Sequence, residues 1–186
     1  MRVADTALKG DHVRMARIEG LLEGVNYHQF YLQAGDPSEY PSYPMDGPPN
    51  RLLATTDTGH AVCITTGIAV GVVKIAIEFL DGPPSGMDDS HEWEAVTELS
   101  FEATETKAGV VLLMQNTNPP FRSFELPPGS GWYRLRGHAI GRSLDFDAVA
   151  RDPREHHLLQ LWRVDHFDDP QVIRADDPWE HQGHAD

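Results

Sequence analysis

Apolar and polar residues alternate with a period of two in several stretches of the chain. In the clearest stretch, from Val73 to Phe79, every odd position is apolar, while Lys74 and Glu78 lie at even positions. Gly71 precedes this stretch and Asp81-Gly82-Pro83-Pro84 follows it, and both are turn formers. The pattern predicts a β-strand that is buried on one face.

Similar short segments, bounded by Gly, Pro, Asn or Asp, predict further strands. They run near Val25 to Gln33, His60 to Thr66, Thr97 to Thr104, Val110 to Asn116, Trp132 to Arg142 and His156 to Val164. The segment from Val13 to Glu23 also fits a helical face, but Gly20 argues against a long helix, so we interpret it as a strand. Strands in series predict an all-β fold, specifically an antiparallel β-sandwich.

Two regions of the chain have the composition of irregular structure. Prolines at 37, 41, 44, 48 and 49 make the segment from Gly35 to Gly59 the longest predicted loop. The segment after Val164 is rich in Asp, His and Pro. We therefore expect residues 1–164 to form a single β-sandwich domain and residues 165–186 to form an acidic, partly disordered tail.

The charge of the chain is strongly negative. Its 29 Asp and Glu residues exceed its 15 Lys and Arg residues, for a formal net charge of -14. From Asp81 to Glu105 there are eight carboxylates and no Lys or Arg. Such a surface favours a basic protein as partner, and it argues against direct binding of nucleic acid, which needs a basic patch.

The chain has the features of a cytoplasmic protein. Its single cysteine, Cys63, lies in an apolar stretch, so no intrachain disulfide can form and we expect a buried thiol. The N-terminal residues lack the apolar core of a signal peptide, and no segment has the roughly 20 apolar residues of a membrane span. We expect no membrane partner.

No motif in the sequence predicts catalysis. There is no Gly-x-Ser-x-Gly, P-loop, His-Glu-x-x-His or Cys-x-x-Cys pattern among these residues. The chain has ten histidines, but adjacent His156 and His157 would point to opposite faces of a strand. We therefore expect a non-catalytic protein with no cofactor and no metal. The alternative is a metal-dependent or small-molecule enzyme whose pocket includes His138, His156 or His157 with a nearby Glu.

Two predicted strands carry opposite charges on their outward faces. One holds Glu92, Glu94, Glu98 and Glu102, with Trp93, Leu99, Phe101 and Ala103 on the inward face. The other holds Arg134, Arg136, His138 and Arg142. If the strands are neighbours, cross-strand ion pairs would neutralise these charges. Otherwise they stay available to a partner.

Seven carboxylates combine high local charge with predicted exposure, and we take them as candidate contacts with a basic partner. They are Asp88, Asp89, Glu92, Glu94, Asp165, Asp168 and Asp169. The alternative for these residues is a solvated rim that keeps the protein soluble. A third hypothesis is a structural module that self-associates through Tyr27, Tyr31 and Trp132.

The order of several short motifs resembles that of the ComJ family of competence proteins. They are Val25-Asn26-Tyr27-His28-Gln29-Phe30, Ser100-Phe101-Glu102-Ala103, Lys107-Ala108-Gly109-Val110-Val111-Leu112-Leu113 and Phe124-Glu125-Leu126-Pro127-Pro128-Gly129, followed by a strand with Tyr133. The resemblance spans roughly Val25 to Val164. It implies an all-β fold and a non-catalytic role as inhibitor of a DNA-entry nuclease, an immunity-type protein. It supplies no matched functional residues.

Overall fold

The computed structural model describes residues 13–36, 52–114, 116–127, 129–176 and 178. The complete secondary-structure elements among these residues are twelve β-strands. They are β1 (Arg14–Asn26), β2 (Gln29–Gln33), β3 (Leu53–Thr55), β4 (Ala61–Thr65), β5 (Val70–Leu80), β6 (Ala95–Ala103), β7 (Lys107–Val111), β8 (Phe124–Glu125), β9 (Gly131–Ile140), β10 (Val149–Ala150), β11 (His156–Arg163) and β12 (Gln171–Arg174). Most predicted strands are present, but the segment from Val25 to Gln33 is divided between β1 and β2. Among the described residues of the segment from Val110 to Asn116, only Val110 and Val111 lie in a strand, which is β7.

The strands form one sheet in the order β12-β6-β9-β11-β5-β1-β2-β4-β3. β7 pairs with β2 and β8 with β7, while β10 pairs with the start of β5. Most neighbours are antiparallel, but β11 runs parallel to β5, with His156 opposite Lys74 and Trp162 opposite Leu80. The all-β class is confirmed. The expected antiparallel sandwich is not, because the sheet is mixed and continuous.

The sheet curls into a half-barrel, so that its β3–β4 end packs against β6 and β9. Thr55 Oγ1 donates to the Ser100 carbonyl at 3.4 Å, and Glu102 N donates to the Gly59 carbonyl at 3.1 Å. A Cβ at Gly137 would lie 2.9 Å from Leu53 Cδ1, so a glycine lets β9 approach this side chain. One curled sheet therefore encloses the core that two sheets enclose in a sandwich.

The concave side of the sheet holds the main hydrophobic core. The predicted inward positions of β5, Val73, Ile75, Ile77 and Phe79, are all buried there. The same core includes Leu99, Phe101, Tyr133, Leu135 and Leu159. Lys74 and Glu78 lie on the convex side, as the period-two pattern predicts, but Glu78 is buried. The convex side therefore also has covered regions.

The two regions predicted to be irregular are described only in part. Residues 37–51 of the Pro-rich loop and residues 177 and 179–186 of the acidic tail lie outside the described residues. Within the described part of the tail, Gln171–Arg174 forms β12 and pairs with β6. The domain boundary at Val164 stays a prediction.

Candidate functional site

A buried charge cluster lies on the convex face where β6 meets β9. Glu98 of β6 faces Arg136 of β9, with Oε1 2.5 Å from Arg136 Nε and Oε2 3.2 Å from Arg134 Nε. Glu98 and Arg134 are both buried. The predicted acidic and basic strands are thus neighbours, and Glu98 is neutralised within the fold.

The same row of the sheet continues this pattern on β5 and β1. Glu78 accepts hydrogen bonds from Arg14 Nη1 at 3.0 Å, Arg17 Nη1 at 2.5 Å and Gln160 Nε2 at 3.0 Å. Glu78 is 1% exposed, and a carboxylate at such burial requires partners of this kind. The convex face therefore carries alternating charges that largely satisfy one another.

The prediction of opposite charges on the outward faces of β6 and β9 fails at the ends of these two strands. Arg142 is fully buried, not outward, and its Nη1 donates to the Asp176 carbonyl at 3.0 Å. Trp93 was expected on the inward face but packs on the convex side with Val96 and His138. Its parity fails because β6 begins only at Ala95, so residues 92–94 do not continue the strand alternation.

The two arginines of the charge cluster also hold two chain segments against the convex face. Arg136 Nη1 donates to the Gly86 carbonyl at 2.7 Å. Arg134 Nη1 and Nη2 donate to the Asp168 and Asp169 carbonyls at 2.9 and 3.0 Å. The loop between β5 and β6 and the segment after β11 therefore dock at positions two residues apart on β9. The i and i+2 spacing of Arg134 and Arg136 predicts that both lie on one face of a strand, but the segments that they hold are brought close only by folding.

The seven candidate contact residues divide into two groups. Five are exposed, and we name them the acidic rim: Asp89, Glu92, Asp165, Asp168 and Asp169. Three of the five belong to the segment held by Arg134 and two to the β5–β6 loop held by Arg136. The structure thus brings both parts of the acidic rim to the convex face.

The other two candidates have structural contacts. Glu94 is half-buried and accepts a hydrogen bond from Gly141 N at 2.8 Å. Asp88 accepts hydrogen bonds from Ser90 N at 3.0 Å, Ser90 Oγ and Trp93 Nε1 at 3.1 Å. Burial alone would raise the pKa of Asp88, but these donors outweigh it and hold the pKa below its usual 3.8. Asp88 therefore organises the loop.

The three histidines of the enzyme alternative do not converge. His138 is fully buried beneath Trp93, and burial lowers its pKa to about 4. His156 lies on the convex side, whereas His157 lies beside Phe30 on the core side, with Nε2 2.7 Å from buried Glu155 Oε1. Among the described residues, no group of three or more His, Cys, Asp or Glu side chains could hold a metal ion.

The three aromatic residues of the self-association hypothesis do not form one surface. Tyr31 is fully buried. Tyr27 lies in the turn between β1 and β2, near the start of β5, whereas Trp132 lies opposite Glu102 near the other end of the sheet. Trp132 also packs edge-on against Phe167, with ring centroids 5.8 Å apart. That hypothesis is therefore wrong in its choice of residues.

The fold described above is similar to a solved one. No protein family model and no curated protein sequence matches the chain. The crystal structure of ComJ from Bacillus subtilis, inhibitor of the DNA degrading activity of NucA, matches with a TM-score of 0.56 and 16% identity, over 82% of this chain and 98% of ComJ. The crocagin biosynthetic gene J protein matches with a TM-score of 0.49 and 12% identity, over 81% of this chain and 100% of that one. The likeness to ComJ confirms the predicted resemblance at the level of the fold.

Two further expectations bear on the chemistry of the described residues. Cys63 is buried, as predicted, and burial raises the pKa of its thiol to about 12. A thiol of this kind is a poor nucleophile, because the thiolate is the reactive form.

In the described part of the chain, no helix has the length and apolar character that a membrane span requires. The cytoplasmic location stays a prediction.

Proposed function

We propose that the protein is a non-catalytic inhibitor that binds a basic enzyme, a nuclease, through the acidic rim. The observation that carries this function is the docking of two acid-bearing segments on one face by Arg134 and Arg136, which leaves their carboxylates exposed. Backbone carbonyls, not side chains, make these contacts. The arginines therefore fix the segments without neutralising the rim.

The fold gives separate support. ComJ, which has a similar fold, is an inhibitor of the DNA degrading activity of NucA. A nuclease must be basic around its substrate groove, because it binds phosphates. An acidic protein can occupy such a groove, and a net charge of -14 would steer the two proteins together.

The first experiment asks whether a basic partner exists. The full chain, immobilised, would be exposed at low salt to an extract of its native host, and captured proteins would then be eluted by increasing salt. We expect a basic nuclease to elute, and the purified pair to show loss of DNA degradation. Recovery of no basic protein at low salt would contradict the proposal.

The second experiment asks whether the acidic rim makes the contact. The triple variant Asp165→Asn, Asp168→Asn and Asp169→Asn keeps the carbonyls that Arg134 binds while removing three charges. A matched control, Glu23→Gln, Glu105→Gln and Asp152→Asn, removes three charges from exposed positions elsewhere. We expect the rim variant to associate about tenfold more slowly at low salt and the control to change far less. Equal effects would mean that net charge, not the rim, governs binding.

A further inference from the structure

A groove of about 320 Å³ opens on the convex face across β1, β5 and β11. Its floor is formed by Ala76 and Leu158, and one wall is formed by His91 and Trp93 of the β5–β6 loop. The volume lies at the lower end of the range of about 300 to 1,000 Å³ that is typical of small-molecule sites. None of the candidate contacts discussed above lines this groove.

The groove brings several basic side chains together in a protein with a large negative surplus. Lys74, His91 and His156 all line it, together with Arg17. The two imidazole ring centroids are 5.2 Å apart. Burial lowers the pKa of His156 below its usual 6.5, and the neighbouring charges of Lys74 and His91 lower it further. The charged form of His156 is therefore disfavoured in this groove.

Lys74 has no counter-ion among the residues that the structure describes. Lys107, the other lysine in the described part of the chain, lies 3.4 Å from Glu125, but no ion pair forms at Lys74 among the described residues. Glu19 lines the groove but pairs with Arg17, at 2.7 Å. A lysine without a described counter-ion in a concave site is a candidate contact for an anion, because a bound anion supplies the missing opposite charge.

The position of one ring nitrogen follows from a chain of hydrogen bonds. Ser90 Oγ donates its single proton to Asp88 Oδ1, so at the Ser90–His91 contact of 2.9 Å it must accept. His91 Nδ1 is therefore the donor, and Asp88 and Ser90 fix the orientation of the ring. In the neutral ring, His91 Nε2 is then a hydrogen-bond acceptor that faces a ligand's donor groups and not its oxyanion. The rings of His91 and Trp93 are tilted by 44° to each other, with centroids 4.8 Å apart, and give the wall an aromatic character.

We propose that this groove binds a small molecule that carries an oxyanion, a carboxylate or a phosphate, on a planar ring. Lys74 holds the oxyanion, and the ring of the bound molecule lies along the aromatic wall, over Ala76 and Leu158. No residue of the acidic rim lines this groove, although Asp89 and Glu92 flank Ser90 and His91 in the same loop. Binding to the groove can be tested without the nuclease.

Binding would be measured with the full chain by calorimetry and by the indole NMR resonance of Trp93, assigned with Trp93→Phe. The probes are 5′-AMP, benzoate, adenosine and inorganic phosphate. We expect 5′-AMP or benzoate to bind with millimolar or tighter affinity and to shift the Trp93 resonance, and which of the two binds identifies the oxyanion. Adenosine and inorganic phosphate should each bind at least about tenfold more weakly, because each lacks one recognition element.

The Lys74→Met variant tests the cationic end of the groove. We expect it to raise the dissociation constant of the bound probe about tenfold, since it removes one charge-assisted contact. Lys107→Met is the matched control and should leave the constant unchanged. The proposal is overturned if neither 5′-AMP nor benzoate shifts the Trp93 resonance. It is likewise overturned if inorganic phosphate binds as tightly as 5′-AMP, or if the two lysine variants behave alike.

Discussion

Glu98 and Arg136 lie opposite each other on β6 and β9, and Glu98 Oε1 is 2.5 Å from Arg136 Nε. The other oxygen of Glu98 contacts Arg134 at 3.2 Å, so one buried carboxylate contacts two guanidinium groups. The same two guanidinium groups hold the loop before β6 and the segment after β11. The arginines that contact buried Glu98 therefore also fix the position of the two segments that carry the acidic rim.

We expect Glu98→Gln to destabilise the protein by about 3 kcal/mol, because it leaves two largely buried arginines without their carboxylate. The free energy of unfolding in urea would measure this effect. Glu92→Gln removes the same charge from an exposed position of the acidic rim and should change stability by less than about 0.5 kcal/mol. A similar small change for Glu98→Gln would show that the cluster does not stabilise the fold.

Gly67 lies where the chain before β5 meets the chain after β9. A Cβ at this position would lie 1.7 Å from the Arg142 carbonyl oxygen, which is backbone and cannot rotate away. We expect Gly67→Ala to cost about 3 kcal/mol of unfolding free energy, because the chains must separate. Gly86→Ala is the matched control, since nothing lies within 4 Å of its Cβ position. Thermal or urea unfolding of the two variants should separate them clearly, and equal stabilities would contradict the close approach.

The sequence predicts most strands of this fold because local alternation determines them. Along β5, the buried face from Val73 to Phe79 follows directly from the period of two. The pairing of β5 with β11 is different, because these parallel strands are far apart in sequence and local pattern carries no information about which strands meet. The mixed sheet was therefore missed.

Turn chemistry explains another error. The segment from Val25 to Gln33 contains a two-residue turn at Tyr27 and His28, whose φ values are 54° and 59°. The usual sequence signal of such a turn is Asn-Gly or Asp-Gly, and neither residue here is a glycine. Asn26 supports the turn instead, since its Oδ1 accepts a hydrogen bond from Tyr27 N at 2.9 Å. The signal was therefore too weak to divide the segment into β1 and β2.

The candidate site was predictable in its charge but not in its arrangement. Asp165, Asp168 and Asp169 are exposed as composition suggests, whereas Asp88 serves the loop through Ser90 and Trp93. Which carboxylates are engaged depends on donors brought close by folding, such as Arg134 from a distant strand. A single sequence does not contain that proximity.

Glu155 holds the turn before β5 from inside the protein. It is 1% exposed and accepts hydrogen bonds from Gly67 N at 3.0 Å, Ile68 N at 3.2 Å and His157 Nε2 at 2.7 Å. Glu155→Gln replaces one acceptor oxygen by a donor, so at least one buried N–H loses its partner. We expect a loss of about 2 kcal/mol in the free energy of unfolding. Asp152→Asn, an exposed amide replacement three residues earlier, should have little effect, and equal effects would argue against the anchor.

His138 makes the stability of the protein depend on pH in a defined window. Burial lowers its pKa from 6.5 to about 4; the Arg136 charge also lowers it, while a contact with the Leu158 carbonyl and the charges of Asp88 and Glu78 raise it. Between pH 6.5 and about 4, His138 is therefore protonated in the unfolded chain but not in the folded chain. The free energy of unfolding decreases with falling pH wherever the unfolded state binds more protons than the folded state. The stabilising contribution of His138 is therefore complete above pH 6.5 and is lost as the pH falls to about 4. Below about pH 4 His138 causes no further change.

The shift corresponds to about 3 kcal/mol over this window, since one pKa unit is worth about 1.4 kcal/mol. We expect His138→Gln, which keeps a donor for the Leu158 carbonyl, to flatten the decline in unfolding free energy between pH 6.5 and 4 by about that amount. Urea unfolding at several pH values would measure both proteins, so groups that titrate in common cancel. His166→Gln, at an exposed position, should keep the full decline. If His138→Gln declines as steeply as the natural sequence, His138 is not the buried neutral group that responds to acid.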